Sequence, residues 1–418
     1  MRPLWAKIIM GAAAGMAAGL ALGTRAAPLG EAGMLVIRLL KTLATPLILF
    51  AVLDAFLRTY IPGRKALVLV GLSAMNAVVA IGIGLSAAHL VRGGESWRSR
   101  MGEIQAALAA GHTATAVAPA PAPGASLSLL TNLARYVPAN LVDPFRENSV
   151  ISVIMLAVLG GLSLRALKGR GGRAEAAALE GVAGLVQVAF RALTQMLEWA
   201  IRLVPFAVFG VIAAVVGAMG ANVMGILGIF LATMALGLVL HGVGWYSLLL
   251  WTVGRMSPFR FFRAASDSIV TALSCSSSLA TLPVTLRCLD ENLAVSPASA
   301  RLAVCVGTNI NHDGIILYEA AAAIFMLQAF GLPAGLGVQL GIAAAAVMAG
   351  IGIAGVPEAG LITLPLVLGA AGLPEAAGAT VIPLILPVDW ILGRFRAAVN
   401  VTSDMTVAVL LDRLDRKG

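Results

Sequence analysis

The sequence predicts an all-α polytopic membrane protein with eight transmembrane helices and two re-entrant helical hairpins. Three observations lead there. The chain is 59% hydrophobic and only 12% charged, with a mean hydropathy of +0.94, whereas a soluble chain carries about 25% charge. Apolar stretches of about 20 residues, enough to cross a bilayer, recur through the first 253 residues. In the last third the apolar pieces are shorter and are tipped by Ser or by Gly and Pro, as in segments that enter a membrane and turn back. The alternation expected of barrel strands is absent from the sequence.

Residues 5–24 form the first span, rich in Gly and Ala and suited to close helix packing. Its basic start, Met1 to Lys7, could open a signal peptide. The apolar run to Gly23 is long, however, and a second follows directly, so it reads as a retained helix. Residues 33–60 and 66–92 form the second and third spans, the latter with Asn76 alone among apolar neighbours. Residues 93–133 change character, with scattered charges and then an Ala/Pro/Thr run from Ala114 to Pro123, and read as a low-complexity surface loop. Residues 134–167 begin amphipathic and become the fourth span, closed by Arg165, Lys168, Arg170 and Arg173. Residues 175–217 make a long fifth segment bent at Pro205. Glu198 and Arg202, four apart on it, are placed to pair. Residues 222–253 are the sixth span.

Charge fixes the expected orientation. With both termini cytoplasmic, the basic loops at 58–65, 165–173 and 255–263 and the tail Arg413 to Lys417 all fall inside. That distribution accounts for the net charge of +9 without a nucleic-acid partner. Cys275, Cys288 and Cys305 are scattered and lack CxxC spacing, which argues against a disulfide framework or a zinc site.

The last third departs from plain spans. Residues 258–292 form a first hairpin around Ser274-Cys-Ser-Ser-Ser278, and residues 335–374 a second around Gly350 to Gly360. Between them, residues 298–331 form a broken helix; residues 376–411 form the last, carrying Asp389, Arg394, Arg396, Asn400 and Asp404. Two hairpins, each followed by an interrupted helix, suggest inverted repeats with a site between the halves. The stretch Gly307 to Gly314 lies at the centre of this arrangement. It holds Asn309, Asn311, His312 and Asp313, with Glu319 a turn beyond. Such groups are costly at membrane depth and face a cavity, a partner or an ion. The bracketing glycines let the helix open, so that backbone carbonyls and side-chain oxygens can form a cage for Na⁺ or H⁺.

Four motifs carry a resemblance. They are Thr281-Leu-Pro-Val-Thr285 after the serine run, Asn311-His-Asp-Gly314, Ala354-Gly-Val-Pro-Glu-Ala-Gly360 and Val399-Asn-Val-Thr-Ser-Asp404. Together they resemble the dicarboxylate/amino acid:cation symporter family, which includes glutamate and aspartate transporters. The likeness is dense over residues 255–411 and looser through Pro138-Ala-Asn140 and residues 196–208. It implies a homotrimer in the lipid of the cell inner membrane. Scaffold helices would occupy residues 1–65 and 134–217, residues 93–133 would be extracellular, and residues 66–92 with 222–411 would form a transport domain that slides like an elevator. Ser276, Ser277, Ser278, Val356, Gly360, Arg394, Arg396 and Asn400 would bind substrate. Gly307, Asn309, Asn311, Asp313, Asn400 and Asp404 would hold the coupling cation, Na⁺ or H⁺.

The departures shape the expected substrate. His312 stands where the family keeps Met, Ile315 where it keeps Thr, and Ala397 where it keeps Thr beside the arginine. In the third span Asn76 is the polar group nearest to where the family keeps hydroxyls for a sodium ion. His312 and Glu358 are candidates for proton coupling. Gly393 replaces the aspartate that meets an amino group in the amino-acid carriers, so a buried ammonium would lack a partner. The expectation is therefore a cation-coupled importer of a C4-dicarboxylate. The alternatives are an acidic amino acid symporter or an anion-conducting channel. An enzyme is not expected: His312 and Asp313 diverge as sequence neighbours, and no GxSxG surrounds the serines.

Overall fold

In the computed structural model, residues 4–58, 63–99, 102, 140–146, 150–168, 173–220, 223–352 and 359–415 are described, and every regular element among them is helical. Helix α1 (Leu4–Leu22) leads through a 3₁₀ turn into α2 (Ala27–Arg58), followed by α3 (Gly63–Val91). Helices α4 (Val150–Lys168), α5 (Arg173–Ile201) and α6 (Val204–Met219) come next. Helix α7 (Val223–Val239) continues through a π turn (Leu240–Trp245) into α8 (Tyr246–Thr252). A first helix pair, α9 (Pro258–Cys275) and α10 (Ser278–Arg287), precedes the broken segment that ends in α11 (Asp313–Phe330). A second pair, α12 (Leu336–Gly352) and α13 (Ala359–Ala370), leads to the long α14 (Glu375–Asp415).

Among the described residues, four helices are long and apolar enough to cross a membrane: 67–91, 176–200, 227–252 and 313–330. Their burial sets their positions. The window of α11 is 89% buried and that of α5 only 11%, so α11 is the centre of the bundle and α5 lies at its rim. Around α11 pack α3, α7, α12, α13 and α14. A second group packs on itself: α1 on α6, α6 on α2, and α2 on α4 and α5. Gly11, Gly15 and Gly19 line one face of α1 at four-residue spacing. A Cβ at any of them would come within 2.5–2.6 Å of a backbone oxygen of α6, so the contact depends on the missing side chains.

Several expectations need correction. The second helix begins at Ala27, not residue 33. The fifth segment is two helices, because the chain turns at Arg202–Leu203 and Pro205 sits in the first turn of α6, where a missing N–H does no harm. Glu198 accepts from Gln195, with the two groups 3.3 Å apart, instead of pairing with Arg202. The region from residue 93 is not all surface loop. Trp97, in a short helix (Glu95–Arg98), is fully buried against Phe230 and Phe325, with ring centroids 6.1 and 5.2 Å away. Residues 103–139, which hold the Ala/Pro/Thr run, lie outside the described residues. The last helix is not interrupted: α14 runs unbroken for 41 residues. No glycine lies between Asn400 and Asp404, whereas two bracket the run at 307–314.

Candidate functional site

The chain from Pro297 to α11 breaks as its glycines predict. A short helix (Pro297–Arg301) loosens into a π turn (Leu302–Val306) and then a 3₁₀ turn (Gly307–Asn309), and the α-helix resumes only at Asp313. The break is held from α14. The Gly314 N–H donates to Asn400 Oδ1 at 2.8 Å, and a Cβ at 314 would meet the Arg396 carbonyl at 2.6 Å. Asn311 Nδ2 donates to Asp404 Oδ1 at 2.9 Å and to Ser403 Oγ at 2.8 Å. Asn311, His312, Asp313, Glu319, Asn400 and Asp404 are all buried.

Arg396 is the charged centre. Its guanidinium is 2% exposed and donates in a two-pronged pair to Asp389, Nη1 to Oδ1 at 2.6 Å and Nη2 to Oδ2 at 2.9 Å. The Tyr318 ring lies 4.1 Å from its Cζ, in cation–π contact. Glycines line the remaining approaches. A Cβ at 360 would stand 2.7 Å from Cζ, and one at 393 would stand 3.3 Å from Nη2 and 3.2 Å from Ser276 Oγ. Arg396 therefore lies beside the serine turn and the helix break.

The serine turn joins α9 to α10. Ser276 adopts a left-handed conformation (φ 54°), sparsely populated for a residue with a Cβ. It caps α9 while its own Oγ is buried without a hydrogen-bond partner. Ser277 and Ser278 are buried, and Ser278 Oγ lies 3.4 Å from Thr308 Oγ1. An unpartnered hydroxyl at the start of α10 suits an anion. Arg394, also expected at the substrate, ties into the same turn. It donates to the carbonyls of Leu273 and Ser274 and lies over Trp390, 4.2 Å from the ring centroid, so it fastens the serine turn to α14.

The second helix pair closes the other side. His312 Nδ1 lies 2.8 Å from the Gly350 carbonyl near the end of α12, and its Nε2 has no partner. Thr363 on α13 donates to Glu319 Oε1 at 2.6 Å. Val356 and Glu358 lie outside the described residues, as does the Asn309 side chain.

Residues that the sequence reading passed over complete the site. Tyr246 OH and Ser403 Oγ both donate to Asp313 Oδ2, at 2.7 and 2.6 Å. The π turn in the sixth span brings His241 and Tyr246, five apart, onto one face with Nε2 and OH 3.0 Å apart. A histidine alone inside an apolar span was the signal available for this cluster. A cation cage fits the residues present. Asp313 Oδ1 and Asn311 Oδ1 are buried with no hydrogen-bond donor, and such oxygens are the ligands a small hard cation takes.

A bundle of apolar helices with carboxylates, a guanidinium and bare oxygens gathered at a helix break is the pattern of a polytopic membrane protein whose interior polar groups face a ligand or ion. The profile of the sodium:dicarboxylate symporter family matches residues 4–414, and the chain belongs to that family. It is similar to curated relatives over somewhat less than half of its length. Excitatory amino acid transporter 3 of Homo sapiens is 43% identical over 189 residues, which is 45% of this chain and 35% of that protein. Excitatory amino acid transporter 2 of Homo sapiens is 40% identical over 188 residues, 45% of this chain and 32% of that protein. Putative sodium-dependent excitatory amino acid transporter glt-4 of Caenorhabditis elegans is 39% identical over 185 residues, 44% of this chain and 36% of that protein. The matched segments thus span about a third of these relatives' length.

Proposed function

We propose that this protein is a cation-coupled symporter that carries a small acidic solute across a membrane. One observation carries the reading: around the helix break four carboxylates, Asp313, Glu319, Asp389 and Asp404, are buried with one buried guanidinium, Arg396. Excess negative charge in a dry interior is costly unless cations accompany it. The solute's carboxylate is received at Arg396 and the serine turn, and the cation at Asp313, Asn311 and Asp404. Binding both neutralises what binding either alone would leave exposed, and that mutual need is the coupling.

The relatives favour an acidic amino acid, glutamate or aspartate, as the solute, because several transporters similar to this chain are named excitatory amino acid transporters. The second reading, a C4-dicarboxylate, rests on Gly393: position 393, beside Ser276 and Arg396, offers no carboxylate to an ammonium group, and the nearby Asp389 is already paired with Arg396. The packing of α3 and α7 to α14 around one centre, apart from the group formed by α1, α2, α4, α5 and α6, supports a moving transport domain against a scaffold. The two helix pairs act as its inner and outer gates. Uptake of labelled aspartate and succinate into proteoliposomes under a Na⁺ or a pH gradient tests all of this. Accumulation of neither solute under either gradient rejects the symport reading.

A further inference from the structure

The groups around Asp313 divide into two sides. On one side Oδ2 accepts from both Tyr246 and Ser403. Ser403 has no capacity left. A hydroxyl has one hydrogen and two lone pairs. Ser403 gives its hydrogen to Asp313 and accepts from Asn311 Nδ2 at 2.8 Å and Asn76 Nδ2 at 3.3 Å. The Tyr246 hydrogen is used at Asp313, so His241 Nε2, 3.0 Å away, donates to the phenol oxygen. Asn76 Oδ1 in turn accepts from Trp245 Nε1 at 3.0 Å. Four oxygens here, Asp313 Oδ2, Ser403 Oγ, Asn76 Oδ1 and the Tyr246 phenol, already face protein hydrogens. The other side is the opposite, since Asp313 Oδ1 and Asn311 Oδ1 have no donor at all.

We infer that Tyr246 and Ser403 substitute for an ion: their hydroxyls hold the Oδ2 charge of Asp313, so no cation is loaded on that side. Resting on the symport reading above, the transporter then moves one cation fewer per cycle than it would with Oδ2 bare. The site's ion requirement is set by residues that touch neither the solute nor the loaded ion. Charge-assisted hydrogen bonds from two short, buried hydroxyl donors are strong enough for this role.

The experiment counts ²²Na⁺ bound at saturation per chain in the purified, full-length protein in detergent. Ser403→Gly removes one donor and opens space beside Oδ2, and its count is expected to exceed the wild-type count by one. Tyr246→Phe removes a single oxygen from a buried ring and is expected to increase Na⁺ affinity several-fold, which keeps the test available if Ser403→Gly does not fold. Ser403→Thr retains the hydroxyl and is expected to keep the wild-type count. Unchanged count and affinity in Ser403→Gly and Tyr246→Phe overturn the inference. So does a rise in Ser403→Thr equal to that in Ser403→Gly. The transport reading fails separately, if the wild-type protein accumulates no labelled solute, and that result leaves the difference in counts standing.

Discussion

Placing a carboxylate at position 393 should turn the selectivity of the site toward amino acids. A Cβ there would stand 3.2 Å from Ser276 Oγ and 3.3 Å from Arg396 Nη2, so an aspartate at 393 would project into the space between them. Both contacts are tight, and the serine and the guanidinium must yield by a few tenths of an ångström to admit it. Two unit charges about 4 Å apart interact by about 4 kcal/mol at an effective dielectric constant of about 20. A solute ammonium near the new carboxylate gains up to that amount, whereas a dicarboxylate only meets added repulsion. If a third of it survives, about 1.4 kcal/mol, the preference shifts about tenfold. The assay is competition between labelled aspartate and unlabelled succinate, and the reverse, in proteoliposomes of the wild type and Gly393→Asp. The expected result is at least a tenfold rise in the aspartate-to-succinate ratio. An unchanged ratio in a variant that still transports refutes the idea that residue 393 meets the solute's amino-bearing end.

Other changes probe separate parts of the site. Gly360→Ala puts a Cβ 2.7 Å from the Arg396 Cζ, and uptake should fall at least tenfold while the unfolding temperature in detergent stays close to wild type. His312→Leu removes the buried hydrogen bond between the ring and the Gly350 carbonyl, for a loss of about 1–3 kcal/mol, measured by chemical or thermal unfolding. Trp97→Ala empties a fully buried site against Phe230 and Phe325 and should lower stability by about 3–5 kcal/mol, with the solute's apparent affinity unchanged in the protein that remains folded.

The legible part of this protein is the part written in local chemistry. The opened helix follows from Gly307 and Gly314 around a polar run, and the structure breaks there. A break near Pro205 follows from a ring suited to a helix's first turn, and a new helix starts there instead of the old one bending. The burial of Arg396 follows from its place inside an apolar helix. What stayed hidden depends on which helix faces which. Nothing near Ser403 in sequence announces that its hydroxyl meets Asp313, 90 residues away, and the lone His241 near Tyr246 marks a polar cluster without naming Asp313 as its partner. The π turn that aims His241 and Tyr246 together changes the register of one helix turn, and periodicity counted at 3.6 residues misses it. Trp97 looked like loop because polar neighbours surround it in sequence, yet its ring fills a gap between α7 and α11.

In the proposed symport, the pairing of Arg396 with Asp389 bears on how tightly solute and cation are linked. The guanidinium's charge is matched in the structure by a carboxylate at 2.6 and 2.9 Å, so the pair is close to neutral. A solute carboxylate arriving there adds negative charge to a pocket that also holds Asp313 and Asp404. It can stay only if a cation comes with it. An unpaired Arg396 would offer a ready countercharge, and solute could bind without its ion. Asp389→Asn tests this. Breaking a buried pair on one side costs about 3–5 kcal/mol of stability, so the variant should unfold at a lower temperature. In the protein that folds, solute binding without Na⁺ should strengthen relative to binding with saturating Na⁺, narrowing the gap between the two affinities. If Asp389→Asn is less stable but keeps the wild-type dependence on Na⁺, then Asp389 only positions the arginine, and the ion requirement arises at Asp313 and Asp404 alone.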